Sequence, residues 1–168
     1  MGPIIAFLLC IIIFVLFIII RSRKVVPQNH VFIIERLDSF YAEWETGQHF
    51  LVPFIDKIVG KVSLDENVIE FKPQPYITKD NVTVQIDTVV SYQVTNAKDY
   101  TYGIEQPLAA LEKLTAITLR NIIGDMELNA VHRSQAEINK KLTSVLDQAT
   151  DRWGISVNRA ELKKILRC

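Results

Sequence analysis

The sequence predicts an α+β domain that follows a single membrane-spanning helix at the N-terminus. Three observations support this fold class. An unbroken run of 17 apolar residues occupies Ile4–Ile20, several segments with the period-two pattern of β-strands follow it, and two segments with helical periodicity come last. Strands followed by helices are typical of an antiparallel sheet with helices packed on one face.

The apolar run is long enough to cross a bilayer as a helix, because at about 1.5 Å per residue it would be roughly 25 Å long. A cleaved signal peptide is the main alternative. Such peptides have a basic residue before the apolar run and small residues after it, whereas here Arg21, Arg23 and Lys24 follow the run. We therefore predict an uncleaved anchor with its basic flank at residues 1–24 and a domain at residues 25–168.

The basic flank also predicts a location. By the positive-inside rule, Arg21, Arg23 and Lys24 and the domain behind them lie in the cytoplasm, which gives a single-pass protein of the cell membrane. The opposite topology stays open, because only three residues precede the apolar run. The three basic residues are also candidates for contact with anionic lipid headgroups, although the cluster is equally explained as a topology signal alone.

Composition excludes several classes of protein. The 19 basic and 19 acidic residues balance, and none of them lies in residues 1–20, so residues 25–168 carry 16 basic against 19 acidic side chains. A mildly acidic domain is not expected to bind nucleic acid. Cys10 and Cys168 are the only cysteines, too few for a disulfide scaffold.

The first part of the domain is predicted to be rich in β-strands. The predicted elements are, in order, a non-helical link at residues 25–29, a strand at Val31–Leu37, a loop-rich stretch at residues 38–48, and strands at Lys57–Leu64 and Asn67–Lys72. Gly47 marks a turn within the loop-rich stretch. Pro73 and Pro75 are expected to end the last of these strands, because proline cannot donate a ladder hydrogen bond.

A compact apolar patch lies between the first and second predicted strands. It consists of Phe50, Leu51, Val52, Pro53, Phe54 and Ile55. The central proline excludes an ordinary central strand, and we expect Pro53 to shape a loop. Two roles stay open for the patch: it dips into the membrane leaflet as a second contact beside the anchor, or it fills the core between the sheet and the helices.

The second part of the domain begins with the clearest strand of the sequence. Residues Val82–Val94 alternate between apolar and polar side chains, so one face of this strand is predicted to be buried. A helix follows at residues 107–123, with Pro107 in its first turn, and Gly124 as the C-cap. Its predicted inner stripe is Leu108, Leu111, Leu114 and Ile117.

A second helix is predicted to begin at Ser134, where Ser134 and Glu137 form an S-x-x-E capping box. Its predicted inner stripe is Ile138, Leu142, Val145 and Ala149. Trp153 and Gly154 close this helix, and an extended segment from Ile155 is expected to pair with the sheet.

Catalytic motifs are missing from the sequence. It contains no H-E-x-x-H, C-x-x-C, G-x-S-x-G, phosphate-loop or G-x-G-x-x-G pattern. His30, His49 and His132 are isolated from one another and from cysteine, and a solvated surface explains Asp80 and Asp87 more simply than acid–base catalysis. We therefore predict that the protein is not an enzyme and has no catalytic residue, metal or cofactor.

Four ordered stretches carry a family resemblance. They are VFIIERL with GQHFLVPFIDKI at residues 31–37 and 47–58, QPYITKDNVTVQIDT at 74–88, TLRNIIGDMEL at 118–128, and EINKKLTSVLDQATDRWGISVNRAE at 137–161. Through them the chain resembles the SPFH or band 7 superfamily of stomatins, prohibitins and flotillins, and it looks closest to the stomatin-like branch. The resemblance implies an SPFH-like domain that ends before the coiled coil with which family members usually continue.

The resemblance also implies structural roles for particular residues. The matching positions are Gly47, Asp147, Thr150, Trp153 and Gly154, of which the last two are expected to fix the exit of the second helix. The chain departs from the family pattern at Thr46, Ser156 and Ala160.

The function implied by the resemblance is scaffolding. Family members assemble side by side into rings or cages that enclose a membrane patch, organise microdomains, and regulate partners such as membrane proteases and, in prokaryotes, NfeD-type proteins. We expect binding to the lipid bilayer, and a homo-oligomer if the chain is extended by a coiled coil. The alternatives are a monomeric membrane-tethered adaptor, a truncated fragment that binds one partner, and a membrane-anchored hydrolase, for which no nucleophile and base are evident.

Overall fold

The computed structural model describes residues 22–167 together with Leu9 and Ile12. The predicted anchor at residues 1–24 therefore lies outside the described residues except at Leu9, Ile12 and Ser22–Lys24, and Arg21 lies outside them as well. No helix within the described part of the chain is both long and apolar enough to cross a membrane. The chain divides into two compact units between Ser63 and Leu64.

Residues 22–63 of the first unit, which the structure describes continuously, contain five strands. They are β1 (Arg23–Val26), β2 (His30–Arg36), β3 (Ser39–Trp44), β4 (Gly47–Phe50) and β5 (Asp56–Ser63). Strands β1 and β4 form an antiparallel pair, and the other three form an antiparallel sheet in the order β3-β2-β5. A small core of Val26, Phe32, Ile34 and Trp44 holds the unit together.

The predicted loop-rich stretch at residues 38–48 is wrong, because it contains β3 and the start of β4. The predicted link at residues 25–29 is non-helical as expected, although its first two residues belong to β1. The error at residues 38–48 arose at the turn between β2 and β3, where Leu37 and Asp38 both have positive φ. Two such residues make a tight hairpin, but Leu-Asp is not one of the dipeptides that mark this turn in a sequence. Gly47 is also not in the turn itself, because it begins β4 with φ 143°.

The second unit packs helices on a three-stranded antiparallel sheet. Its elements are β6 (Asn67–Ile77), β7 (Thr83–Val94), α1 (Ala97–Tyr102), α2 (Pro107–Gly124), α3 (Leu128–Arg133), α4 (Gln135–Thr150), a 3-10 turn (Asp151–Trp153) and β8 (Ile155–Arg167). The strand order is β6-β7-β8. Helix α2 packs against β6 and α4, and α4 packs against β8. The predicted mixture of helices and antiparallel strands is confirmed, while the short helices α1 and α3 were not predicted.

The central strand β7 behaves as its alternation predicts. Every second side chain from Val84 to Val94 is buried, and the side chains between them are exposed or half-buried. The predicted end of the neighbouring strand at Pro73 is wrong, because β6 continues to Ile77. The prolines are accommodated because β6 is an edge strand and its register shifts between Phe71 and Gln74, which forms a bulge.

The helices begin near the predicted residues, but their buried faces are rotated. The buried residues of α2 are Leu111, Thr115, Thr118, Leu119, Ile122 and Ile123, and those of α4 are Ile138, Leu142, Leu146 and Thr150. The stripe predicted for α2 had a spacing of three, which drifts around a helix of about 3.6 residues per turn, so Ile117 is exposed. Ser134 precedes α4, but its side chain makes no capping hydrogen bond, so that part of the capping box is wrong.

Candidate functional site

The apolar patch at residues 50–55 forms an exposed loop. The side chain of Phe54 is 97% exposed and that of Phe50 is 60% exposed, and Val52 and Ile55 are exposed as well. Only Leu51 packs against the core of the first unit. The alternative in which the patch fills the core is therefore wrong for most of its residues. Pro53 is half-buried within this turn, in agreement with its expected place in a loop.

The buried carboxylate of Asp56 is hydrogen-bonded to the backbone of this loop. The side chain of Asp56 is 1% exposed, and its Oδ2 accepts a hydrogen bond from the backbone N–H of Val52 at 3.0 Å. The guanidinium of Arg36 donates to both carboxylate oxygens, at 2.7 and 3.1 Å. These hydrogen bonds from Arg36 hold the pKa of the Asp56 carboxyl below its usual value, and they outweigh the opposite effect of burial.

The basic flank lies directly beside the loop. The register of β1 and β4 places Arg23 opposite Phe50 and Lys24 opposite His49, and both basic side chains are exposed. The guanidinium carbon of Arg23 lies 5.8 Å from the centre of the Phe50 ring. The structure thus brings together two groups of residues that the sequence analysis had treated as separate candidates for membrane contact.

Ser22, within the basic flank, also contacts the loop. The backbone N–H of Leu51 donates to the carbonyl oxygen of Ser22 at 2.8 Å. Ser22 follows the apolar run Ile4–Ile20 by two positions. The exposed loop is therefore hydrogen-bonded to a residue that lies two positions beyond the end of that run.

Three of the family-motif residues meet where the second unit joins α4 to β8. Asp147 Oδ1 accepts from the backbone N–H of Val157 at 2.9 Å and from Ser156 Oγ at 3.1 Å. The hydroxyl of Thr150 donates to the carbonyl oxygen of Ile155 at 3.0 Å. Gly154 has φ 66°, the left-handed conformation that glycine adopts without strain.

Gly154 is also enclosed. A Cβ at this position would overlap the carbonyl oxygen of Asn96, and the backbone N–H of Thr95 donates to the carbonyl oxygen of Gly154 at 2.9 Å. Trp153 is half-buried beside it, with the guanidinium carbon of Arg152 5.5 Å from its ring centre. These contacts give the motif a structural explanation that needs no ligand.

A row of polar side chains on α4 was missed by the sequence analysis. Asn139, Thr143 and Asp147 accept hydrogen bonds from three backbone N–H groups of β8, at 3.1, 2.9 and 2.9 Å. These donors belong to Leu162, Ala160 and Val157 respectively. The row replaces a neighbouring strand along the outer edge of β8, and edges that are covered in this way resist pairing with another chain. The sequence does contain a signal for this row. Its three polar residues are spaced four apart, and each follows directly after a residue of the buried stripe, Ile138, Leu142 or Leu146.

Titratable side chains are dispersed in the part of the chain that the structure describes. No group of three or more His, Cys, Asp or Glu residues there could hold a metal ion. His49 stacks on Trp44 with 4.9 Å between ring centres. Asp80 is exposed, in agreement with the predicted solvated surface, and it also accepts from the backbone N–H of Leu128 at 3.2 Å and from the hydroxyl of Thr78.

Antiparallel strands in both units, and helices on the sheet of the second unit, make the fold a mixture of α and β structure, and comparison with known proteins gives its class. The sequence matches the SPFH domain / Band 7 family over residues 24–166. The chain belongs to this family. The predicted resemblance is therefore confirmed.

Individual relatives support the stomatin-like branch. An uncharacterized protein of Mycobacterium tuberculosis (strain ATCC 25618 / H37Rv) is 44% identical over 160 residues, which cover 95% of this chain and 42% of the relative. An uncharacterized protein of Methanocaldococcus jannaschii is 37% identical over 150 residues, 89% of this chain and 75% of the relative. The mitochondrial stomatin-like protein 2 of Homo sapiens is 36% identical over 140 residues, 83% of this chain and 39% of the relative. The chain thus spans about two fifths of the length of the mycobacterial relative.

Proposed function

We propose that this protein is a non-enzymatic membrane scaffold, which is anchored by residues 1–24 and assembles laterally to organise membrane microdomains and regulate membrane proteins or proteases. Membership of the SPFH family supports the scaffold function. The basic flank supports a single pass with the domain on the cytoplasmic side. A membrane protease or an NfeD-type protein is the partner class that the family resemblance favours.

The exposed loop at residues 50–55 is the observation that carries the proposal. A soluble surface rarely displays two phenylalanines on one short loop without a partner. The loop lies beside Arg23 and Lys24, and its Leu51 N–H donates to the carbonyl oxygen of Ser22. An apolar loop next to exposed cations fits the boundary between acyl chains and anionic headgroups. The anchor and the loop would then hold the domain at two points, which fixes its orientation for side-by-side assembly.

The membrane contact can be tested in the full chain reconstituted into bilayers of phosphatidylcholine and phosphatidylglycerol. In a background with Cys10→Ala and Cys168→Ser, Phe54→Cys carries an environment-sensitive fluorophore, and lipids with a nitroxide on the acyl chain quench it on contact. Glu43→Cys, at an exposed position in β3, provides the matched control. We expect strong quenching at position 54 and weak quenching at position 43. Equal, weak quenching at both positions would remove the loop from the membrane and the main support from the proposal.

Lateral assembly requires a separate measurement. We expect the native mass of the chain extracted in a mild detergent to correspond to several copies, at least when the chain is extended by a family-like coiled coil. A single copy in both forms would contradict lateral assembly and favour a tethered adaptor that binds one partner.

A further inference from the structure

A second apolar side chain is displayed next to the loop. Leu37, in the turn between β2 and β3, is 77% exposed and has φ 52°. Phe54 combines its near-complete exposure with φ 72°. Residues other than glycine, asparagine and aspartate rarely adopt positive φ, and neither side chain gains buried contacts in exchange. Strained residues of this kind cluster at functional sites.

The two turns that display these residues lie at the same end of the sheet. Strands β2 and β5 pair so that Arg36 is opposite Asp56, and the two residues come directly before Leu37 and directly after Ile55. The backbone N–H of Leu37 also donates to the carbonyl oxygen of Ile55 at 3.2 Å. Leu37 therefore adjoins the exposed loop, although the two are far apart in the sequence.

One ion pair joins the bases of both turns. Arg36 donates two hydrogen bonds to Asp56, and Asp56 holds the far side of the loop through the N–H of Val52. The guanidinium carbon of Arg36 also lies 3.7 Å from the centre of the Tyr41 ring. Arg36 and Asp56 are thus held by contacts with Tyr41 and Val52 as well as by each other. In the second ion pair at this end, Asp38–Lys57, both side chains are exposed.

We propose that Leu37 and Phe54 form a paired apolar tip that enters the lipid surface, and that Arg36 and Asp56 are the positioning residues that hold both turns in the inserting conformation. This inference rests on the proposed membrane function. The occupant is the bilayer because the loop that carries Phe54 begins at Phe50, opposite the exposed Arg23 of β1, and is hydrogen-bonded through Leu51 to Ser22, two positions beyond the apolar run. A bidentate pair fixes two chain segments in one geometry, which a single point contact does not.

The first part of the proposal is tested by moving the fluorophore to Leu37→Cys in the same full chain and bilayers. We expect quenching at position 37 to be as strong as at position 54 and much stronger than at position 43. Quenching at 54 without quenching at 37 would overturn the paired tip and leave the proposed function standing. Weak quenching at both positions would overturn both.

The positioning role is tested by Asp56→Asn, with Asp38→Asn as the matched control on the exposed pair. We expect Asp56→Asn to lower quenching at positions 37 and 54 together, by about half or more, because strained turns persist only when their surroundings fix them. Asp38→Asn should leave both signals unchanged. A loss at position 54 alone, or no loss at either position, would overturn the positioning role.

A second variant guards against misfolding of Asp56→Asn. Arg36→Lys keeps the positive charge but loses the guanidinium fork. In a Trp153→Phe background, the fluorescence of Trp44, in the core of the first unit, reports whether each variant is folded. In the folded variant we expect the same joint loss at positions 37 and 54, and unchanged quenching at both would overturn the proposal.

Discussion

Gly154 and Phe54 share a left-handed backbone conformation, with φ 66° and 72°, but the two units of the molecule use it in opposite ways. Gly154 is buried in the second unit, where its Cα faces the carbonyl oxygen of Asn96 with no room for a Cβ. Phe54 carries a large side chain in the first unit and exposes nearly all of it. The conformation makes close packing possible at Gly154, whereas at Phe54 it displays an apolar side chain.

The same contrast extends to the edges and turns of the two units. In the second unit, polar side chains of α4 cover the outer edge of β8. In the first unit, a well-braced ion pair holds Leu37 and Phe54 away from the core. Exposed, strained apolar residues add nothing to folding stability, and this contrast is the reason for proposing the membrane contact in the first unit.

The largest effect is expected for Gly154→Ala. An alanine with positive φ costs about 1–2 kcal/mol, and the overlap with Asn96 forces a backbone shift worth about 1–3 kcal/mol, so we expect a loss of about 3 kcal/mol in the free energy of unfolding of the second unit. Urea titration of the full chain in detergent measures it through Trp153, in a Trp44→Phe background.

Gly124→Ala is the control for this substitution. Gly124 ends α2, and a Cβ there would lie 4.0 Å from its nearest neighbour, the carbonyl oxygen of Ile77. Alanine should therefore be neutral or stabilise by up to about 1 kcal/mol. If both variants lost the same stability, the enclosure of Gly154 would not be the cause.

A smaller effect is expected for Thr143→Val. This change leaves the buried N–H of Ala160 without its acceptor, which costs about 1–3 kcal/mol. Thr115→Val is a close control, because both hydroxyls donate to a carbonyl one turn earlier in their helix, but Thr143 alone of the two also accepts from β8. The Trp153 titration should show a loss near 2 kcal/mol for Thr143→Val and about 1 kcal/mol or less for Thr115→Val. Equal losses would mean that the row on α4 does not stabilise the edge of β8.

Part of this contrast could be predicted from the sequence. The rest could not be predicted, for physical reasons. The alternation in β7 is a local pattern, so its buried face followed directly from the residues. The loop that displays Phe54 is hydrogen-bonded to Asp56, which pairs with Arg36, distant in sequence. An apolar run alone does not distinguish a core segment from a displayed loop. Leu37 was assigned to the end of a strand because only the φ angles of the folded chain reveal a turn there.

Phe54→Gly is expected to stabilise the first unit slightly. Glycine relieves a left-handed strain of about 1–2 kcal/mol and loses about 0.5–1 kcal/mol through greater freedom in the unfolded chain. A net gain of about 0.5–1 kcal/mol should appear in urea titrations followed at Trp44 in a Trp153→Phe background. Phe50→Gly, an exposed residue in β4 without positive φ, should instead lose stability. A loss at position 54 as large as at position 50 would mean that the Phe54 side chain supports the fold.

The smallest effect is expected from acid, through Asp56. Its pKa is lower in the folded protein than its ordinary value of 3.8, chiefly because Arg36 donates to it. The ionised carboxylate therefore stabilises the folded state above that ordinary value, and this stabilisation is lost as the pH falls through the lower, folded pKa. The urea midpoint at Trp44 should fall on acidification in the wild type and fall less in Asp56→Asn.

Asp38→Asn separates this effect from the exposed ion pair. The pKa of Asp38 is also lowered, by its hydrogen bond to Lys57, but solvent screens an exposed pair, so this variant should keep most of the acid sensitivity. The urea midpoint is preferable to raw fluorescence because it reports unfolding and not the local surroundings of Trp44, on which His49 stacks. An acid response that survives in Asp56→Asn but disappears in Asp38→Asn would place the stabilising charge at the exposed Asp38–Lys57 pair and not at Asp56.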